Sequence, residues 1–456
     1  MIEPIALPRG AALLAENAAG ARSFAVGFWF PIGSRHEKKS ERGFVHFVEH
    51  LLFKGTTSRS SLGIAREVDR VGGWINAFTE RDVVCLQCVV PASHWKLALD
   101  VLFDMAFRST FPPEEVERER SVIVSEILAA TDDPEEASHD AFMERIWPGD
   151  PLGLKIAGES QDAQRASRSD LIDFYQRNIT PNRLLVTMAG PTDGKNESSF
   201  LGDLLSALPM PDSELSFPSG QDKTPTFFST VDFVSSPIEQ TFLYEAVQLN
   251  PPFAPSDYYS LAVLNGALGE SMSSRLFQGL REREGLCYSV YSAISMSRSE
   301  CLWFAQASSA PAAFPRLVTA LDREIDALCE TTSISPRCGD ARGIGWKSMG
   351  RLSGEEISES VSRLAGSFEL ALDDVEFRMK RLARQRLYAD EVLAAEETKA
   401  KILSVDAHAV AFAAERLFSG RERARFGYGR KARGSFEALG LAAMPEAKSP
   451  RNRSRG

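Results

Sequence analysis

The chain has 456 residues, 43% of them hydrophobic and 25% charged. Those values exclude wholesale disorder, and the length asks for two or three cores rather than one. With 52 Lys plus Arg against 62 Asp plus Glu, the net charge is −10, the wrong sign for a dedicated nucleic-acid binder.

No apolar run reaches the roughly 18 residues needed to cross a bilayer, so no membrane insertion is expected. The start, MIEPIALPRGAALLAEN, has no charged region ahead of a long apolar core, and it is too acidic and Arg-poor for a transit peptide. The expected location is the cytoplasm. In chain order, Ala11–Glu16 and Ser23–Pro31 are short and rich in strand formers. Helices are predicted over Gly43–Gly55, closed by Gly55, and Ser61–Val71, ending at Gly72-Gly73. Strands follow at Trp74–Thr79 and Asp82–Val90, then helices at Trp95–Phe107 and Pro113–Ala130. The second of these opens with proline and two acids, sound helix-start chemistry. Helices at Pro134–Trp147 and Ser167–Arg177 precede a strand at Arg183–Ala189. Leu208–Thr226 is rich in Pro, Ser and Asp and reads as a linker.

The pattern then restarts. A strand at Gln240–Ala246 leads to helices at Asp257–Leu268 and Ser273–Glu284. Strands at Tyr288–Ile294 and Cys301–Ala307 follow, then helices at Phe314–Thr331 and Glu355–Ala371. The expectation is an α+β fold with two similar α/β-sandwich domains, each a mainly antiparallel sheet covered by helices. Residues 1–208 form the first domain, 209–226 the linker and 227–440 the second domain. Residues 441–456 read as a disordered tail ending in the basic Lys448–Gly456, and the Gly-rich Pro336–Ser353 carries no long helical pattern. Six cysteines make no disulfide scaffold. Cys85 and Cys88 form a C-x-x-C on a strand, where they point to opposite faces. All six are read as reduced, mostly buried thiols.

The chemistry concentrates in His46-Phe47-Val48-Glu49-His50. On a helix, positions i, i+3 and i+4 share a face. Both imidazoles therefore point to one spot, with the Glu49 carboxylate beside them. The flanking Phe44, Val45, Leu51, Leu52 and Phe53 imply a helix buried nearly all round, where unpaired polar groups are costly. Two satisfied core histidines are the bland reading. A bound Zn²⁺ accounts for the whole set: two neutral imidazole ligands and a carboxylate that activates a water. A third protein ligand is then needed. Glu119 and Glu126 stand seven apart on the helix at 113–130, share a face, and could each supply it. Glu114, Glu115 and Glu117 suit a solvated acidic face. Glu126 suits one less well, because it lies inside the apolar run from Val122 to Leu128.

The surrounding FVHFVEHLLFKGT resembles the pitrilysin family of inverzincin metallopeptidases, named for the inverted H-x-x-E-H. That family includes insulin-degrading enzyme and the mitochondrial processing peptidases, and the likeness runs over residues 5–430. It implies that the third ligand is Glu126, 76 residues after His50, and that Glu119 is an outer carboxylate orienting a ligand imidazole. GGWINAFT, residues 72–79, is similar to the family's GG-x-x-NA-x-T edge strand. The likeness implies that Asn76 and Ala77 line an extended substrate added as a further strand. Leu152-Gly153 and Gly158 resemble its PLG…G segment. Ser273–Phe277 followed by Arg281–Tyr288 resembles SSRLF…RE-x-x-GL-x-Y, which implies that Arg281 and Tyr288 contact substrate near the scissile bond. A departure is Ser125-Glu126-Ile127, where the family often has Glu-Glu-Ile.

The resemblance thus implies a zinc-dependent endopeptidase holding one Zn²⁺ per chain, with Glu49 as general base. Its substrates would be extended, unstructured peptides or precursor segments. They would be cut in a chamber formed by a homodimer or a heterodimer, with Arg281 and Tyr288 serving the partner's metal site. The alternative is a non-catalytic or partner-dependent subunit of a processing-peptidase-like complex, against which the full zinc set argues. A maturation protease for one precursor shares the chemistry and differs only in substrate. No phosphate-binding G-x-x-x-x-G-K-[ST] occurs, so a nucleotide-dependent enzyme is not expected. His36, His94, His139 and His408 receive no role.

Overall fold

The computed structural model of the chain describes residues 2–209, 224–249, 255–297, 299–329, 351–389, 391–430 and 439–440. Most of the expected linker, the Gly-rich stretch up to residue 350 and the tail 441–456 lie outside the described residues.

The first half runs β1 (Ile5–Ala6), β2 (Ala12–Asn17), β3 (Ser23–Phe30), α1 (Phe44–Leu52), α2 (Ser61–Asp69), β4 (Trp74–Thr79) and β5 (Val84–Pro91). It continues through α3 (Trp95–Arg108), α4 (Pro113–Asp132), α5 (Pro134–Ile146), α6 (Ser160–Arg165), α7 (Arg168–Asn178), β6 (Leu185–Gly190) and α8 (Lys195–Ser206). The second half begins with β7 (Val231–Ser235), β8 (Thr241–Leu249), α9 (Pro255–Leu268), β9 (Ser289–Met296) and β10 (Cys301–Ser309). It ends with α10 (Phe314–Cys329), α11 (Gly354–Ala371), α12 (Val375–Tyr388), α13 (Ala395–Leu403), α14 (Ala407–Phe418) and β11 (Ala424–Gly429). The expected elements are present among the described residues with ends shifted by a few positions. One changes type: Phe277–Arg283, expected as α-helix, is π-helical, and the Glu284 N–H reaches back five residues to Gly279 O. Additional elements are β1, α6, α8, β7, α12, α13, α14 and β11.

Six strands of the first half form a sheet in the order β1-β2-β6-β3-β5-β4, and five of the second form β7-β11-β8-β10-β9. All neighbours are antiparallel except β2 with β6 and β7 with β11. Matching β2 to β7, β6 to β11, β3 to β8, β5 to β10 and β4 to β9 makes the two orders identical apart from the additional edge strand β1, the parallel pair included. The restart seen in the sequence is therefore a repeat of topology.

Period-two alternation gives each sheet two apolar faces. On β3, Phe24, Val26, Phe28 and Phe30 face the helices of their own half, while Ala25 and Trp29 face the other way. That second face is covered by α12 of the second half, through Val375, Met379, Leu382, Ala383 and Leu387. Gly27 lets it come close, since a Cβ there would lie 2.7 Å from Met379 Sδ. Reciprocally, α5 of the first half covers the second sheet. Its Phe142, Met143 and Ile146 pack on Phe242, Tyr244, Leu302 and Phe426. The halves thus exchange one helix each. Cys85 and Cys88 fall in different cores on the two faces of the first sheet, and both are free and buried.

Candidate metal centre

Helix α1 has no side-chain cap on its own first turn: its N-cap is Gly43 at φ 78°. Any Cβ there would lie 2.5 Å from Ala157 O. The missing cap is supplied by Glu37, whose carboxylate accepts the N–H groups of Gly43 and Val45, both at 2.8 Å. Burial pushes the Glu37 carboxyl up to about 8, against those two hydrogen bonds. Phe44, Val45, Phe47, Val48, Leu51 and Leu52 are buried. His46, Glu49 and His50 are only half-buried. This corrects the expectation of a helix buried nearly all round, because α4 meets this face with carboxylates instead of apolar cover.

The His46 and His50 rings lie 4.7 Å apart, centroid to centroid. Glu126 reaches both from α4: its oxygens stand 3.6 Å from His46 Nε2 and 3.5 Å from His50 Nε2. One ligand atom from each of the three lies within 4.8 Å of the others. The His46 ring holds the Glu126 carboxyl below the ordinary carboxylate range. Glu119, 5% exposed, accepts the His50 Nδ1–H at 3.0 Å. In the neutral ring that bond places the N–H on Nδ1 and leaves the Nε2 lone pair toward Glu126. A lone pair facing a carboxylate oxygen is an acceptor meeting an acceptor, which a divalent cation between them resolves. Two imidazoles and one carboxylate are also a donor set that suits Zn²⁺ with a position left open.

Glu49, three residues after His46 on the same helix face, accepts a hydrogen bond from Thr79 Oγ1 at 2.5 Å. Thr79 ends β4, the outermost strand of its sheet, whose far edge pairs with no other strand among the described residues. On that strand Asn76 is exposed and Ala77 buried, on opposite faces. Glu126 itself is exposed, and so are its neighbours Val122 and Leu128. The apolar run around Glu126 therefore does not bury it, because Ile123, Val124 and Ile127 turn to the core while Val122 and Leu128 turn outward.

Arg281 and Tyr288 come together in the second half. The Arg281 guanidinium lies over the Tyr288 ring at 5.6 Å and over Phe277 at 4.6 Å, and Tyr288 is 76% exposed. Among the described residues their side chains contact one another, Phe277 and Glu282. A separate cleft of about 360 Å³ lies where α5 meets the second sheet, between Glu135, Glu136, His139 and Asp140 on one side and Tyr244 and Tyr291 on the other. Burial holds its His139 down at about 4.

Two contributors escaped the sequence reading. Thr79 stands within the strand motif and carried no assigned role. Lys54, whose Nζ lies 2.7 Å from Glu119 Oε1, had one available signal, its position four residues after His50.

Residues 12–160 match the sequence profile described as Insulinase (Peptidase family M16), and residues 165–335 match that of the peptidase M16 inactive domain. A Streptomyces coelicolor protein named as an uncharacterized zinc protease is 31% identical over 415 residues, 89% of this chain and 85% of that one. The chain belongs to peptidase family M16. A Mycobacterium tuberculosis protein of the same description is 30% identical over 91% of this chain and 90% of its own. Among solved structures, a protease from Helicobacter pylori has the same fold at TM-score 0.80 and 17% identity, covering 94% of this chain and 99% of that one. The M16 inactive domain from Pseudomonas fluorescens also reaches TM-score 0.80, at 15% identity, over 95% and 98% of the two chains. Within this M16 chain the halves differ in chemistry as the profiles do. Helix α9, which takes the place of α1 in the repeated topology, contains neither His nor Glu.

Proposed function

We propose that this M16 chain is a zinc-dependent endopeptidase acting on extended, unstructured peptides or precursor segments. The observation that carries the reading is the convergence of His46, His50 and Glu126 on one point, with Glu49 alongside and the open edge of β4 adjacent. His46, His50 and Glu126 would hold one Zn²⁺ per chain, with Glu119 orienting His50. When bound, the ion supplies a Lewis acid that acidifies a water and polarises a carbonyl. Glu49 takes the proton of the attacking water and passes it to the leaving amine. Asn76 and Ala77 sit where a substrate backbone would pair with β4. Arg281 and Tyr288 form a donor pair that can stabilise a developing oxyanion.

Among the described residues the pair touches Phe277 and Glu282 and not the metal cluster of its own chain; the further reading is a chamber closed by a dimer, with Arg281 and Tyr288 acting on the partner's site. The test is cleavage of a quenched peptide library by wild type, Glu49→Gln, Tyr288→Phe and a mixture of the two variants. Glu49→Gln is expected to lose about a hundredfold or more of activity while keeping its zinc. Mixing restores activity if the pair acts in trans, because one site of each mixed dimer keeps both residues. Cleavage by Glu49→Gln at the wild-type rate would sink the peptidase reading. Proven subunit exchange without restored activity would sink the trans arrangement alone.

A further inference from the structure

We propose that Lys54 is a positioning residue of the metal centre, acting on His50 through Glu119; the inference rests on the zinc reading above. Lys54 stands four residues after His50, just beyond the end of α1, and so lies on the ligand's side of the helix. Its Nζ is 2.7 Å from Glu119 Oε1, and the other oxygen of the same carboxylate accepts the His50 Nδ1–H at 3.0 Å. Glu119 is almost fully buried. A carboxylate removed from water is costly unless its oxygens are engaged. Here the ammonium takes one oxygen and the ring the other. Rotating the carboxylate to any other orientation would break one of the two bonds.

The ammonium is itself held in place. The Lys54 N–H bonds Leu51 O at 3.0 Å. Just beyond, Thr56, Ser58 and Arg59 all hydrogen-bond the carboxylate of Asp104 on α3, at 2.5, 3.0 and 3.1 Å. Asp104 is fully buried, and Arg59 is clamped further by Asp100 and Glu67. The backbone on both sides of Lys54 is therefore anchored, unlike that of a lysine on a free surface loop. His46 has no comparable arrangement: its Nδ1 is buried and makes no hydrogen bond among the described residues. Orientation of the ligand pair thus depends on His50, and the line Lys54–Glu119–His50 sets it.

Zinc affinity, measured on the purified full chain by competition with a chromophoric chelator, tests this without reference to activity. Lys54→Met is expected to bind zinc about tenfold more weakly, the lower end of what losing an outer partner costs. Lys54→Arg is expected to recover most of that loss, since a guanidinium can also bond the carboxylate. In a Glu119→Gln background Lys54→Met should add nothing, because Lys54 acts only through Glu119. Lys54→Gln replaces Lys54→Met if the latter fails to fold. Equal affinity in wild type and Lys54→Met overturns the proposal and leaves the zinc reading standing. So does the same loss with and without Glu119. If the wild type binds no zinc, the zinc reading fails and this proposal with it.

Discussion

Glu49 lies between His46 and His50 on the open face of α1, and its position is set by one hydrogen bond from the neighbouring strand. Thr79 donates to Glu49 Oε2 at 2.5 Å, so one carboxylate oxygen is committed and the other stays available. Because Thr79 belongs to the open edge strand, the same residue links that edge to Glu49, the proposed general base. Thr79→Val keeps the shape and removes the donor. Hydrogen bonds to charged groups contribute about 1.5–3 kcal/mol, so kcat should fall at least about tenfold with KM little changed. Steady-state kinetics check this, and an unchanged kcat would remove Thr79 from the site. The two glutamates of α4 divide by burial at this same scale. Glu119 is enclosed and bonds a ring nitrogen, whereas Glu126 is exposed and faces both rings.

Helix α1 depends on a cap drawn from outside its own turn. Glu37 closes its N-terminus across six and eight residues of chain, and Gly43 permits the close approach of Ala157. The Glu37 carboxyl is raised from 4.5 to about 8 by burial. The folded state therefore holds this proton more tightly than the unfolded state does. The resulting stabilisation is complete below about pH 4.5 and is lost as pH rises through about 8. Glu37→Gln cannot titrate, so its melting temperature should fall less across that window than that of wild type. Parallel melting curves for the two proteins would show that Glu37 does not titrate there. The π-helical turn at Phe277–Arg283 is the corresponding device in the second half, placing Phe277 and Arg281 so that ring and guanidinium stack beside Tyr288. Such turns recur at functional sites.

Exchange of α5 and α12 packs each half on the other's sheet, so the two are expected to unfold as one unit. Each sheet has an apolar face that its own half leaves uncovered. Charge reinforces the exchange: Arg378 and Arg381 of α12 bond Glu16 of β2 at 2.6 and 2.5 Å, and Arg384 pairs with Glu80 at the end of β4. The last contact ties the hairpin beyond Thr79 to the second half, so Glu49, the proposed general base, is braced from both halves. Met379→Ala should cost about 3 kcal/mol and leave a single unfolding transition. Denaturant titration followed by both far-UV CD and Trp fluorescence would show it. Two resolved transitions would mean that the halves fold separately. Among the described residues no helix is long and apolar enough to cross a membrane.

The amino-acid sequence by itself determined what is local. H-x-x-E-H places His46, Glu49 and His50 on one face whenever that stretch is helical, because i, i+3 and i+4 repeat with the turn. Short runs rich in strand formers at Ser23–Phe30 and Val84–Pro91 likewise made strands legible. The choice between Glu119 and Glu126 was not local: both share a face of α4, and residue spacing alone left it open until the family resemblance named Glu126. The apolar spacing of Val375, Met379, Leu382 and Ala383 was equally present in the sequence, but not its partner, a sheet more than 180 residues earlier in the chain. Only the tertiary structure decided which carboxylate faces both rings, which lysine braces the other, and which helix covers which sheet. Those facts depend on contacts between distant segments, and burial and charge pairing are fixed only when the segments meet.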